Sequence, residues 1–146
     1  MHEIGHALGL VHGHDSSNPF GALPSNHDYV EYSIMTYRSY VGGPSSGGYT
    51  YGSASAPQTL VPDDIAALQY LYGANYNTNS GNTVYSWNPS TGQTFINGVS
   101  MGAVQGNKIF LTIWDGNGTD TYDLSAYSTN LSIDLQPGAW STFDTS

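Results

Sequence analysis

The sequence has 146 residues, 2 basic and 11 acidic, for a formal net charge of −9, a length that suits about one domain or two very small ones. The two basic residues, Arg38 and Lys108, cannot build the patch that a phosphate backbone requires, which excludes nucleic acid as a partner. No run approaches ~18 uninterrupted apolar residues, so no membrane span is expected, and the absence of cysteine excludes disulfides, thiolate metal sites and a cysteine nucleophile.

In chain order, residues 2–10, HEIGHALGL, read as a helix. Ala7, Leu8 and Leu10 are good formers, Ile4 and Leu8 are spaced i, i+4, and Gly9 offers the chain a way out. Residues 13–33 read as an irregular loop punctuated by Pro19, Gly21, Pro24 and Asn26, and residues 42–57 as a Gly/Ser-rich surface loop. A second helix is predicted over 62–72. Pro62 suits the first helical position, Asp63 and Asp64 complement the positive end of the dipole, Ile65, Leu68 and Tyr72 share a face, and Gly73 ends it. Beyond Gly73 the texture changes to short strand-like runs at 83–87, 109–114, 121–124 and 131–135, separated by Gly/Asn/Asp turns. A boundary is placed at 73–80.

The chemistry is concentrated at the start. Four of the five histidines, His2, His6, His12 and His14, lie within residues 2–14. Functional residues so early lead us to expect a piece of a larger protein, beginning partway into a helix. His2 and His6, four apart, place two imidazoles on one helix face, one turn apart. His12 can join them only if the chain turns, which Gly9 permits. Three neutral imidazoles suit Zn²⁺ and leave a position for water, the arrangement of a catalytic site. Glu3, next to the first ligand, is placed to take a proton from that water. His14 and His27 lack such spacing and read as solvated loop residues.

HEIGHALGLVH fits HExxHxxGxxH, which together with a downstream turn at Ser33-Ile34-Met35-Thr36-Tyr37 is the metzincin pattern. Among metzincins the chain resembles the serralysins, secreted bacterial metalloendopeptidases. The resemblance is carried by HEIGHALGLVH (2–12), YSIMTY (32–37), APQTLVPDDIAALQYLYGAN (56–75), TVYSWNPSTG (83–92) and IWDGNGTDTYDLS (113–125). Matrixins and adamalysins lack a Tyr two residues after the Met. Astacins have it, but usually carry an acidic residue where Gly13 stands here.

The resemblance implies an α+β fold. Residues 1–75 would be the C-terminal part of a metzincin catalytic domain, with zinc helix, Met-turn and C-terminal helix, and residues 76–146 the start of a calcium-binding β-roll or β-sandwich. It implies His2, His6 and His12 as zinc ligands, Glu3 as catalytic base, Met35 as the floor under the metal, and Tyr37 as a further, swinging zinc ligand that then donates to the oxyanion. It also implies a secreted monomer acting on protein or peptide substrates. One departure stands out: Gly13-His14-Asp15 replaces the family's usual Pro-Gly-Asp, which makes His14 a stronger neighbour of the ligands. The sheet that precedes the zinc helix in the family, and most of its calcium repeats, are not among these residues.

Asp115-Gly116-Asn117-Gly118-Thr119-Asp120 sets oxygen ligands on a tight turn, as a hard cation needs. An EF-hand would require Gly where Asp120 stands and Glu where Ala126 stands, and fails on both. The resemblance pairs this segment with Asn79-Ser80-Gly81-Asn82-Thr83. It implies one Ca²⁺ shared by Asn79, Gly81, Thr83, Asp115, Asn117 and Asp120, with Gly118 and Asp120 reaching towards a second. The leading functional expectation is a zinc endopeptidase. The alternatives are a non-catalytic calcium-binding fragment with a vestigial protease half, and an interaction module with structural zinc. An intact Glu3 argues against both, because a structural site needs no base.

Overall fold

Gly9 decides how the first helix ends. The computed structural model, which describes residues 1–143, gives α1 as His2–Ala7, three residues shorter than the expected 2–10. The Leu8 N–H is shared between Ile4 O and Gly5 O, Gly9 turns left-handed at φ 91, and the Leu10 N–H returns to Gly5 O at 3.0 Å. That closure satisfies the last carbonyls of the helix and swings the chain off its axis. A 3-10 turn at Ser53–Ser55 and the helix α2, Pro62–Tyr72, follow. The second helix has the expected bounds, with Pro62 in the first turn and Gly73 at φ 82 just past the end.

The buried core of this part consists of Leu10, Ile34, Met35 and Val61, with Leu60, Ala67, Leu68 and Phe110 packed against it. Of the expected Ile65, Leu68 and Tyr72, Leu68 faces this core, joined there by Ala67 and by the buried Asp64. Tyr72 is 68% exposed and its hydroxyl donates to Leu8 O at 3.0 Å. A polar group at 64 hides this stripe from any reading by apolar period.

The remaining elements form one mixed sheet: β1 (Val84–Trp87), β2 (Thr94–Ile96), β3 (Val99–Ser100) and β4 (Thr121–Asp123), in the order β3-β2-β1-β4. β1 pairs antiparallel with β2 and parallel with β4. The β2–β3 hairpin went unpredicted, although its signal is explicit. Asn97-Gly98 sits between the strands with both residues at positive φ, 51 and 76, as a two-residue primed turn demands. Along β1, Tyr85 and Trp87 are buried while Val84 is exposed, the alternation of a one-sided strand. Trp87 meets Tyr122 and Phe143 edge-on, at ring separations of 5.1 and 4.8 Å.

Two expected strands are corrected. Residues 109–114 join no ladder. They run beside 58–59, where Gln58 N–H donates to Phe110 O at 2.8 Å and Thr112 N–H to Thr59 Oγ1 at 2.7 Å, and Phe110 reaches the helical core. Residues 131–135 contribute only an isolated bridge, Ser132 to Thr142. The result is an α+β architecture. No helix among the described residues is long and apolar enough to cross a membrane.

Candidate metal centre

α1 presents His2 and His6 one turn apart, and the turn at Gly9 brings His12 back to them. One ring nitrogen from each of the three lies within 4.8 Å of the others, and this is the one group of three or more His, Asp or Glu side chains that converges in this way among the described residues. His2 Nδ1 stands 2.6 Å from Ile34 O and His6 Nδ1 stands 2.9 Å from Leu10 O. A carbonyl only accepts, so both Nδ1 atoms carry the hydrogen and both Nε2 atoms hold the lone pair. His6 Nε2 then faces His12 Nε2 at 3.0 Å. A contact that short has either a proton, from His12 with its hydrogen on Nε2, or a cation between the two nitrogens. Nitrogens on a tetrahedral zinc stand about 3.4 Å apart, so the donor set fits such an ion. Burial, then the neighbouring His6, His2 and His14, hold the His12 imidazole below its ordinary pKa and so favour the neutral, ligating form.

The other predicted members have distinct places. Tyr37 Oη lies 2.8 Å from His12 Nε2, and the Tyr37 ring is 37% exposed. Glu3 is exposed on α1 beside His2. Met35, 2% exposed, lies under the helix against Gly5. His14 is exposed and stacks on His12 at 5.4 Å with the planes 7° apart, 5.0 Å from Tyr37. His27 is corrected from a solvated loop residue: its Nδ1 lies 2.8 Å from Asp63 Oδ2 and its ring stacks on Tyr32 at 4.0 Å.

Several supporting residues escaped the sequence reading. Gly5 is one, because a β-carbon there would overlap Met35 Sδ. Two buried carboxylates clamp the turn that carries Met35 and Tyr37. Asp64 accepts from the Ser33 hydroxyl at 2.7 Å, the Ile34 N–H at 3.0 Å and the Val61 N–H at 3.2 Å. Asp28 accepts from the Thr36 hydroxyl at 2.6 Å and Arg38 Nε at 2.8 Å. Ile34 thus donates its N–H to Asp64 and offers its carbonyl to His2. Gly13 abuts Asp28, where a β-carbon would stand 2.7 Å from Oδ1. The spacing of Asp28 and Asp64 carries no motif, so only their contacts reveal them.

In the second predicted cluster, residues 79–83 and 115–120 touch one another where Thr83 meets Asp120 and Gly81 meets Gly118. Thr83 Oγ1 donates to Asn79 O at 2.9 Å and lies 3.2 Å from Gly81 O, while the Thr83 N–H donates to Asp120 Oδ1 at 2.9 Å. The Asn117 N–H donates to Asp115 Oδ1 at 3.1 Å, and the Gly118 N–H to Asn117 Oδ1 at 2.9 Å. Gly118 packs so closely that a β-carbon would overlap Gly81 O and stand 3.0 Å from Asp120 Oδ1. The junction is thus lined by main-chain carbonyls and two carboxylates. That is a hard-oxygen environment, the donor chemistry of Ca²⁺.

Residues 74–144 match the family described as Peptidase M10 serralysin C terminal. Over 147 residues the chain is 40% identical to the metallopeptidase AprA of Pseudomonas marginalis, which covers 96% of this chain and 29% of that protein. It is 37% identical over 148 residues to serralysin B of Dickeya chrysanthemi, covering 96% of this chain and 28% of that protein, and 36% identical over 146 residues to serralysin of Proteus mirabilis, covering 97% and 28%. The chain therefore spans less than a third of the length of these relatives. This likeness runs through the helical part as well as the sheet, and the chain matches a serralysin-type segment.

Proposed function

We propose that this segment carries the zinc site of a secreted metalloendopeptidase, joined to the first strands of a calcium-binding β-roll. Residues 1–75 would form the C-terminal part of the catalytic domain, with α1 as the zinc helix and 33–37 as the Met-turn, and residues 76–146 the start of the roll. The observation that carries this reading is the convergence of three imidazole nitrogens within 4.8 Å, with two of the rings locked by main-chain carbonyls. His2, His6 and His12 would hold the ion, and Met35 would close the space beneath it.

The chemistry such an ion supplies when bound is polarisation of a peptide carbonyl and a lowered pKa of water. Glu3 is the general base: its carboxylate takes the proton of the attacking water and later returns it to the leaving amine. The Tyr37 phenol leaves the His12 side to donate a hydrogen bond to the developing oxyanion. Substrate is a protein or peptide, and the chain acts as a monomer. The cradle at 79–83 and 115–120 would hold Ca²⁺ and tie the two parts together.

The test begins with metal analysis of the chain, where about one zinc per molecule is expected. His12→Ala should abolish it and His27→Ala should not. In a protein completed to the length of its relatives, Glu3→Gln should keep zinc and lose roughly 10²–10⁴-fold in turnover. Equal zinc loss in both histidine variants would remove the ligand assignment, and full activity in Glu3→Gln would remove the base.

A further inference from the structure

Tyr85 stands on β1, the strand that pairs on both sides within the sheet, and is 1% exposed. Packing alone would be served as well by phenylalanine. The hydroxyl instead sits between the two loops of the oxygen-lined junction. It donates to Asp115 Oδ2 at 2.6 Å and accepts from Asn79 Nδ2 at 3.1 Å. Asn79 Nδ2 also lies 3.4 Å from Trp114 O, the residue before Asp115. One buried phenol thus touches the first residue of each loop, from a base that ladder hydrogen bonds hold rigid.

The Asp115 carboxylate is fixed at both oxygens, Oδ2 by Tyr85 and Oδ1 by the Asn117 N–H. A carboxylate oxygen offers about two lone-pair sites, so each keeps acceptor capacity after these bonds. A phenol keeps its proton throughout the physiological range, so Tyr85 stays a donor to Asp115. Groups that orient a ligand without touching the metal commonly set its affinity.

We propose that Tyr85 is a positioning residue for a calcium ion held between 79–83 and 115–120, fixing the Asp115 carboxylate and the Asn79 side chain from the central strand. This rests on the calcium reading given above. Tyr122 supplies the control, since it packs edge-on against Tyr85 at 5.7 Å and its hydroxyl has no hydrogen-bond partner among the described residues.

The experiment is calorimetric titration of the full chain with calcium chloride, beside melting curves at several calcium concentrations. Tyr85→Phe should raise the calcium Kd by about 10-fold or more and shrink the calcium-dependent rise in Tm, whereas Tyr122→Phe should leave both unchanged. A residue with only a packing role would lower Tm equally at every calcium concentration and leave Kd alone, and that result overturns the proposal. A parent chain that takes up no calcium overturns the calcium reading itself, and the proposal with it. Should Tyr85→Phe not fold, 4-fluorophenylalanine in place of Tyr85 fills the space of the hydroxyl while deleting its donation to Asp115, and leaves every residue of the two loops unchanged. A several-fold weaker Kd there supports the strut, and an unchanged Kd ends it.

Discussion

The carboxylate of Asp64, 2% exposed, accepts the hydroxyl proton of Ser33 at 2.7 Å, joining the second helix to the turn beneath the three imidazoles. The same carboxylate takes the Ile34 and Val61 N–H groups, and Ile34 O accepts from His2 Nδ1. Removing the acceptor strands three donors in a water-poor region. At about 1–3 kcal/mol for each unsatisfied group, Asp64→Ala should cost on the order of 3 kcal/mol or more of unfolding free energy. Urea denaturation measures this. Because Ile34 is the link to His2, the variant should also bind zinc more weakly under conditions where it is still folded. Unchanged stability would mean that the turn is held from elsewhere.

What the sequence disclosed and what it hid divide along a physical line. Features fixed by local chemistry were legible: the His2–His6 spacing, the exit at Gly9, and α2 between Pro62 and Gly73. Features fixed by partners distant in sequence were not. The position of Asp64 in the first turn of α2 shows only that it complements the helix dipole; that it is also a buried acceptor serving a turn thirty-one residues upstream appears only from its contacts. Residues 109–114 have strand composition, but their partners at 58–59 turn them aside, so β-propensity yielded to tertiary context. His27 had no motif and gained a partner only because α2 brings Asp63 to it. The Asn97-Gly98 hairpin, with both residues at positive φ, carries a local sequence signal of its own.

Tyr37 should separate metal binding from turnover. Its hydroxyl touches His12 Nε2, but three imidazoles suffice to hold zinc. Tyr37→Phe is therefore expected to keep zinc in the isolated chain. In a protein completed to the relatives' length it should lose roughly 10²–10³-fold in kcat, as for a missing oxyanion donor. kcat and kcat/KM should fall together, because the bond is made in the transition state. A higher KM with unchanged kcat would assign the phenol to substrate holding instead.

The metal-free chain should lose stability in mild acid through His12. Its folded-state pKa lies below the ordinary histidine value of 6.5, chiefly because of burial and then because of the other imidazoles. A depressed histidine pKa means that the unfolded chain binds the proton more readily. The His12 contribution is therefore fully present above pH 6.5 and is lost as pH falls from there through the folded-state value. Urea midpoints at pH 7.5 and at pH 5.5, with zinc removed by chelator, should differ in that direction, and His12→Gln should narrow the difference. An equal slope in the variant would place the acid sensitivity in other groups.

Gly118 and Asp120 test the junction from two sides. Gly118 holds φ 124, a conformation that side chains rarely adopt, and a β-carbon there would overlap Gly81 O. Gly118→Ala should therefore cost on the order of 1–3 kcal/mol from backbone strain alone, with or without calcium, because it pushes the 79–83 loop away. Asp120→Ala should behave differently. It removes the acceptor of the Thr83 N–H and one of the two carboxylates of an acidic cradle in a chain of net charge −9, where a bound cation relieves repulsion. Calcium should raise the Tm of the parent chain, and the gain should grow with free calcium above Kd, reaching about 2.7 kcal/mol at a hundredfold excess over Kd. EGTA should reverse it while zinc stays in place. Asp120→Ala should lose most of that increment and, with the Thr83 N–H left without its acceptor, melt somewhat below the parent in EGTA, whereas Gly118→Ala should melt lower in both. If the parent melts alike with and without calcium and Asp120→Ala is silent, residues 115–120 form a turn and nothing more.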